Sequence, residues 1–145
     1  MLSQKAKYAL KAMLALAAES DGDLLQAGDI ATTQNVPRKF LELILLDLRK
    51  QGLVNSHRGK NGGYALAKPA DAITFGQIVR IMDGPLAPIP CASLTGYRRC
   101  EDCKDEKTCA VRRTMREVRD AAATILDGMT LAQARDGAGR KKPAP

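Results

Sequence analysis

Between Pro37 and Ala67 a helical pattern passes directly into a hairpin pattern, and this junction constrains the fold more than any other stretch of the chain. Pro37 opens the helix, where its missing N–H costs nothing. Leu41, Ile44, Leu45 and Leu48 then form a stripe at helical spacing that must be buried. Gly52 stands where a left-handed C-terminal cap is needed. Residues 53–56 and 64–67 are two short apolar-alternating runs around a glycine-rich basic turn at 57–63, which predicts a β-hairpin.

The flanks read as helices. Ser3 is an N-cap for a first helix that carries Tyr8, Leu10, Met13, Leu14 and Ala17 and ends near Glu19, before a polar turn at 20–23. A short second helix is predicted over 27–34, with Ile30 inward. Thr74 and Gln77 form a capping box that opens a helix ending at Asp83-Gly84. Three prolines, at 85, 88 and 90, make 85–106 irregular. A long helix is predicted from Lys107 to Asp127, roughly 30 Å at the helical rise. Thr130 and Gln133 box a short last helix, and from Asp136 the chain reads as a disordered basic tail. Only 3% of residues are aromatic and none is Trp, so a core of Leu, Ile, Val, Ala and Met suits this mainly helical reading.

Helix, short helix, helix, then basic hairpin is the plan of a winged helix-turn-helix. The formal net charge is +7, and 35–68 carry seven Lys/Arg against two acids. A balance of that sign favours nucleic acid. In such a fold the third helix enters the major groove with its first turns nearest the base edges. Arg38 and Lys39 occupy that first turn, where Arg pairs bidentately with guanine and the helix N-terminus attracts phosphate. Glu42 lies one turn on, able to accept from a cytosine amino group. Arg49 extends the basic set. His57, Arg58 and Lys60 stand at the hairpin tip, where glycines allow close approach and Arg suits a narrow minor groove. His57 is the chain's one histidine and reads as a wing-surface residue rather than a metal ligand.

All four cysteines fall between 91 and 109, spaced Cys91-x8-Cys100-x2-Cys103-x5-Cys109. No signal sequence or membrane span is visible, so the chain reads as cytoplasmic, and there such a cluster points to a metal or redox site rather than structural disulfides. Four thiolates satisfy tetrahedral zinc or hold an iron–sulfur cluster. The neighbouring Arg98, Arg99, Lys104 and Lys107 are expected to lower thiol pKa values and favour ligation. On the long helix Val111, Met115, Val118, Ala122 and Ile125 step by four and three, a narrow seam suited to pairing with another helix.

The stretch from Phe40 to Leu66, above all the Gly52-Leu53-Val54 turn and the Arg58-Gly59-x-x-Gly62-Gly63-Tyr64 hairpin, resembles the IscR/NsrR family, the Rrf-two superfamily of bacterial regulators. Leu2-Ser3, Tyr8-Ala9-Leu10, the helix from Ile73-Thr74 to Asp83-Gly84 and the late cysteines fit as well, so the resemblance covers about residues 1–134. It implies a homodimer on double-stranded DNA, at an imperfectly palindromic operator. Glu42 is then the base-discriminating acid, Arg58 the minor-groove arginine, and the long helix the one that crosses its partner. It also implies a repressor that senses iron, redox state or nitric oxide through an iron–sulfur cluster, of the 2Fe–2S or 4Fe–4S type. Cys91, Cys103 and Cys109 match the family's three-cysteine loop, with the gap before Cys103 longer and Cys100 additional. Arg112 stands where one branch has a ligand histidine, and Lys7 where another has an aspartate. Cys100 or an exogenous group is left as fourth ligand, and zinc or a thiol switch without a cluster remains an alternative.

The expected division is a DNA-binding domain at 1–84, a cysteine-rich sensor loop at 85–106, a dimerisation helix with a short C-terminal helix at 107–134, and the tail at 135–145. No Ser/His/Asp set and no phosphate-binding glycine loop is present, and the Cys100-x2-Cys103 pair lies outside any βαβ pattern, so no enzyme is expected. A zinc-stabilised module that binds nucleic acid or protein is the remaining rival.

Overall fold

Ser3 caps the first helix as expected: its side-chain oxygen accepts from the Ala6 N–H, and α1 runs Gln4–Ala17. The helix closes two residues short of Glu19, with Ala18 as its cap. The computed structural model describes residues 2–19 and 22–137, so Ser20, Asp21 and the tail beyond Gly137 lie outside the described residues. The chain is mainly helical with one two-stranded antiparallel hairpin.

α2 spans Ala27–Gln34 and ends on Asn35 in the left-handed region at φ 55°. α3 spans Arg38–Lys50, with Pro37 as its N-cap rather than its first helical residue. Its stripe of Leu41, Ile44, Leu45 and Leu48 is fully buried. Gly52 follows at φ 78°, the turn that lets the chain double back. The hairpin pairs β1, Val54–His57, with β2, Gly63–Leu66, in the register Val54 to Leu66 and His57 to Gly63.

The wing has a third strand-like contact that sequence patterning missed. Leu25, just before α2, exchanges both backbone hydrogen bonds with Tyr64, at 3.0 and 2.7 Å. A Cβ at Gly63 would lie 2.6 Å from the Leu25 carbonyl oxygen, so glycine is needed at that approach.

α4 spans Phe75–Asp83 behind the Thr74–Gln77 capping box. It lies against α1, and Asp83 accepts from both the backbone N–H (2.9 Å) and the hydroxyl of Ser3. The loop then holds two short 3-10 turns, Pro90–Ala92 and Glu106–Thr108. α5 spans Ala110–Asp127, three residues later than expected, because the Asp105 side chain caps the 3-10 turn and Cys109 caps the α-helix. α6, Leu131–Arg135, follows its own Thr130–Gln133 capping box.

The C-terminal helix returns to the N-terminal body. Leu131 is fully buried in the core with Met13, Ile30, Leu45 and Ile78, and the Arg135 guanidinium donates to the Ala17 carbonyl at 3.0 Å. An antiparallel bridge joins Thr74 to Thr130, with Phe75 N–H donating to Met129 and Leu131 N–H to Ile73, both at 2.9 Å. α5 is the exception to this packing, since none of its residues is buried.

Candidate nucleic-acid interface and cysteine cluster

α3 presents two faces set by its spacing. The buried stripe fixes it to α1 and α2, which leaves Arg38, Glu42 and Arg49 on the side nearer the wing. Arg38, Glu42, Arg49, His57 and Arg58 line one open cleft between α3 and the hairpin, floored by Gly62 and Gly63. Five of the seven residues assigned to DNA from sequence therefore share one surface. Lys39 and Lys60 are exposed outside it, Lys39 on α3 and Lys60 at the hairpin tip.

Two contacts organise this surface. Arg49 donates to the Ser56 hydroxyl at 3.2 Å, which ties α3 to β1. Arg38 pairs with Glu42 at 3.3 Å across one helical turn, with both side chains largely in water. From sequence the two carry separate expected roles at the bases. The pair links them through Arg38 Nε and one carboxylate oxygen of Glu42.

The four cysteines also converge. Cys91 is buried in its 3-10 turn, Cys103 and Cys109 are half-buried, and Cys100 is exposed. All four line one cavity of about 400 Å³, whose wall also includes Asp102, Lys104, Asp105 and Arg112 beside the apolar Ile89 and Val111. Among the described residues no three Cys, His, Asp or Glu side chains are close enough to hold a single metal ion. The expected effect of the basic flanks is overturned at Cys100. Its thiol hydrogen-bonds to the Asp102 carboxylate at 2.6 Å, which pushes the thiol pKa up and the Asp102 pKa down. A carboxylate at hydrogen-bond distance outweighs more distant, solvated cations.

Two arginines of α5 hold the cysteine loop: Arg112, noted in the sequence only as standing at a ligand-histidine position, and Arg119, which the sequence reading does not single out. Arg112 donates from Nε to the Cys91 carbonyl at 3.0 Å, and Arg119 from Nη1 to the Ala92 carbonyl at 2.6 Å. The Arg119 side chain is only 11% exposed, and it also pairs with Asp120 at 2.7 Å. Their spacing of seven, on one face of the helix, was the available signal. Farther along, Arg80 of α4 makes a two-pronged bond to Asp127 of α5 at 2.6 and 3.0 Å, which raises the Arg80 pKa and lowers that of Asp127.

The expected seam on α5 faces outward. Val111, Val118 and Ile125 are exposed at 61, 45 and 49%, while Met115 and Ala122 are half-buried. No helix among the described residues is long and apolar enough to cross a membrane.

Residues 2–136 match the Rrf2 family model, described as an iron-dependent transcriptional regulator. A Rhodobacter capsulatus protein named as an rrf2-like HTH-type transcriptional regulator is 47% identical over 134 residues, covering 90% of this chain and 89% of its own. The structure of CymR, titled the global cysteine regulator of B. subtilis, superposes with a TM-score of 0.78 at 34% identity, covering 94% of this chain and 97% of that one. The IscR structure of T. potens superposes with a TM-score of 0.75 at 27% identity, covering 100% of this chain and 93% of that one. A helix-turn-helix with a basic wing, matched from end to end by regulators of this kind, leaves one conclusion: the chain belongs to the Rrf2 family of DNA-binding transcriptional regulators.

Proposed function

We propose that the chain represses transcription as a homodimer, reading an imperfectly palindromic operator with α3 and the wing under control of its cysteine loop. The single observation that carries DNA reading is the cleft shared by Arg38, Glu42, Arg49, His57 and Arg58. In this reading Arg38 and Lys39 meet the major groove, Glu42 discriminates against wrong bases, and Arg58 and Lys60 follow the minor groove and backbone. The outward face of α5, with Val111, Val118 and Ile125 in water, supports pairing with the same helix of a second copy. Binding that falls steeply with salt, yet prefers one duplex over mixed-sequence DNA, is the expected result. Equal affinity for every duplex would refute sequence reading.

Control is assigned to an iron–sulfur cluster held by Cys91, Cys103 and Cys109, with Cys100 as the candidate fourth ligand. The donor chemistry fits: four thiols line one cavity, and thiolates are the ligands that an iron–sulfur cluster takes. When bound, such a cluster supplies a reversible electron change and sensitivity to oxidants. The protein's part is mechanical. Cys109 caps α5, accepting from the Arg112 N–H at 3.4 Å, and the Cys91 turn is clasped by Arg112 and Arg119. Any shift of these thiols therefore pulls on α5, and through a dimer of α5 on the separation of the two α3 helices, which operator spacing fixes. Anaerobic purification followed by an absorption spectrum and iron, sulfide and zinc analysis tests the assignment. Colourless protein with stoichiometric zinc favours the zinc alternative, and metal-free protein whose DNA binding follows thiol oxidation favours the thiol switch.

A further inference from the structure

Among the described residues up to Gly84, the large apolar side chains left in water are Leu2, Leu43 and Leu46. Two of the three lie on α3. Leu43 is 60% exposed and Leu46 36%, although the helix has already buried a complete stripe of four on its other side. The spacing Lys39, Leu43, Leu46, Lys50 steps by four, three and four, so the four residues form one line along α3. That line points away from the core and runs beside Glu42. An apolar pair bracketed by exposed lysines is costly in water and suits a partner that is anionic at its edges and apolar at its centre.

We infer that Leu43 and Leu46 select thymine in the operator half-site by packing on its 5-methyl group, with Lys39 and Lys50 seated on the flanking phosphates. The inference rests on the DNA-reading role of α3 proposed above and adds the base class that this helix prefers. The thymine methyl is the one apolar group on a major-groove base edge. Leucine offers no hydrogen bond, so a cytosine amino group facing it would be buried without a partner, and the pair rejects G·C as well as attracting A·T. A second protein is the competing occupant of such a stripe, but lysines at both ends favour a polyanion.

The test uses the full-length protein and a duplex recovered by selection from a randomised pool. Thymines of that duplex are replaced one at a time by deoxyuridine, which removes only the methyl. The expected result is a loss of about fourfold in affinity at one or two positions of each half-site, the transfer free energy of one buried methyl-sized group. Leu43→Ala and Leu46→Ala, both at exposed positions, should each erase the discrimination at one of those positions. A preferred duplex bound equally with thymine and deoxyuridine throughout overturns the inference alone. A selection that recovers no preferred duplex overturns the DNA-reading role and the inference with it. Discrimination that survives both variants overturns the inference, and a Leu43→Ala protein that keeps it but sediments at lower mass also overturns it and identifies the stripe as an interface between copies.

Discussion

Arg119→Ala should loosen the cysteine loop by a calculable amount. The Ala92 carbonyl that Arg119 caps belongs to a residue only 1% exposed, so no water replaces the lost donor without opening the turn. A hydrogen bond from a charged donor is worth about 1.5–3 kcal/mol, and a buried acceptor left unpaired costs a similar amount. The pair with Asp120 adds little, because the Asp120 carboxylate is largely in water. The expected loss is therefore about 2 kcal/mol, a fall in Tm of roughly 4–8 °C for a chain of this size. Unfolding should be followed by heat and urea at one fixed chain concentration, since any association of copies adds to apparent stability. Hydrogen exchange should rise across 85–109 and stay unchanged in α1 and α3. Arg119→Lys should recover part of the loss, and Arg116→Ala, at an exposed position on the same helix, should cost almost nothing. A change below about 0.5 kcal/mol with unaltered protection of 90–92 would refute the clasp.

Three further outcomes are expected. Asp127 is held below the usual carboxylate pKa by Arg80, so its contribution is complete above about pH 4 and disappears as pH falls through the lowered value; Asp127→Asn should flatten the acid limb of the stability curve by well under 1 kcal/mol, because the pair is half-exposed. Val118→Asp, which puts a charge in the middle of the exposed seam, should convert the proposed dimer to a monomer in sedimentation while leaving the helical circular dichroism intact. Lys60→Ala should weaken binding to all duplexes by a similar factor and reduce the slope of log affinity against log salt by about one.

What was legible in the sequence was local. The Thr74–Gln77 and Thr130–Gln133 boxes fixed two helix starts, and Pro37, Gly52 and the glycine-rich turn fixed the passage from α3 to the wing, because each depends on residues within four of one another. The start of α5 is three residues later than the sequence predicts because two caps compete there, Asp105 for a 3-10 turn and Cys109 for the α-helix, and composition does not rank them. The Leu25–Tyr64 bridge and the docking of Leu131 against α1 join segments far apart in the chain, and neither leaves a periodic trace. At the cysteines, charge counting favoured thiolates throughout, but the rotamer that brings Cys100 onto Asp102 reversed the expectation for that thiol.

The double hydrogen bond between Leu25 and Tyr64 ties the wing to the segment before α2, and Arg49 on Ser56 ties it to α3. In the proposed reading each protomer acts as a caliper: the span from helix to hairpin tip is set by these ties, and the duplex has to supply a groove of matching width. Sequence preference would extend in this way to base pairs that no side chain touches, through the stiffness of the DNA between the jaws. In the proposed dimer, adjustment by signal falls to the spacing between two calipers rather than to the opening of either one.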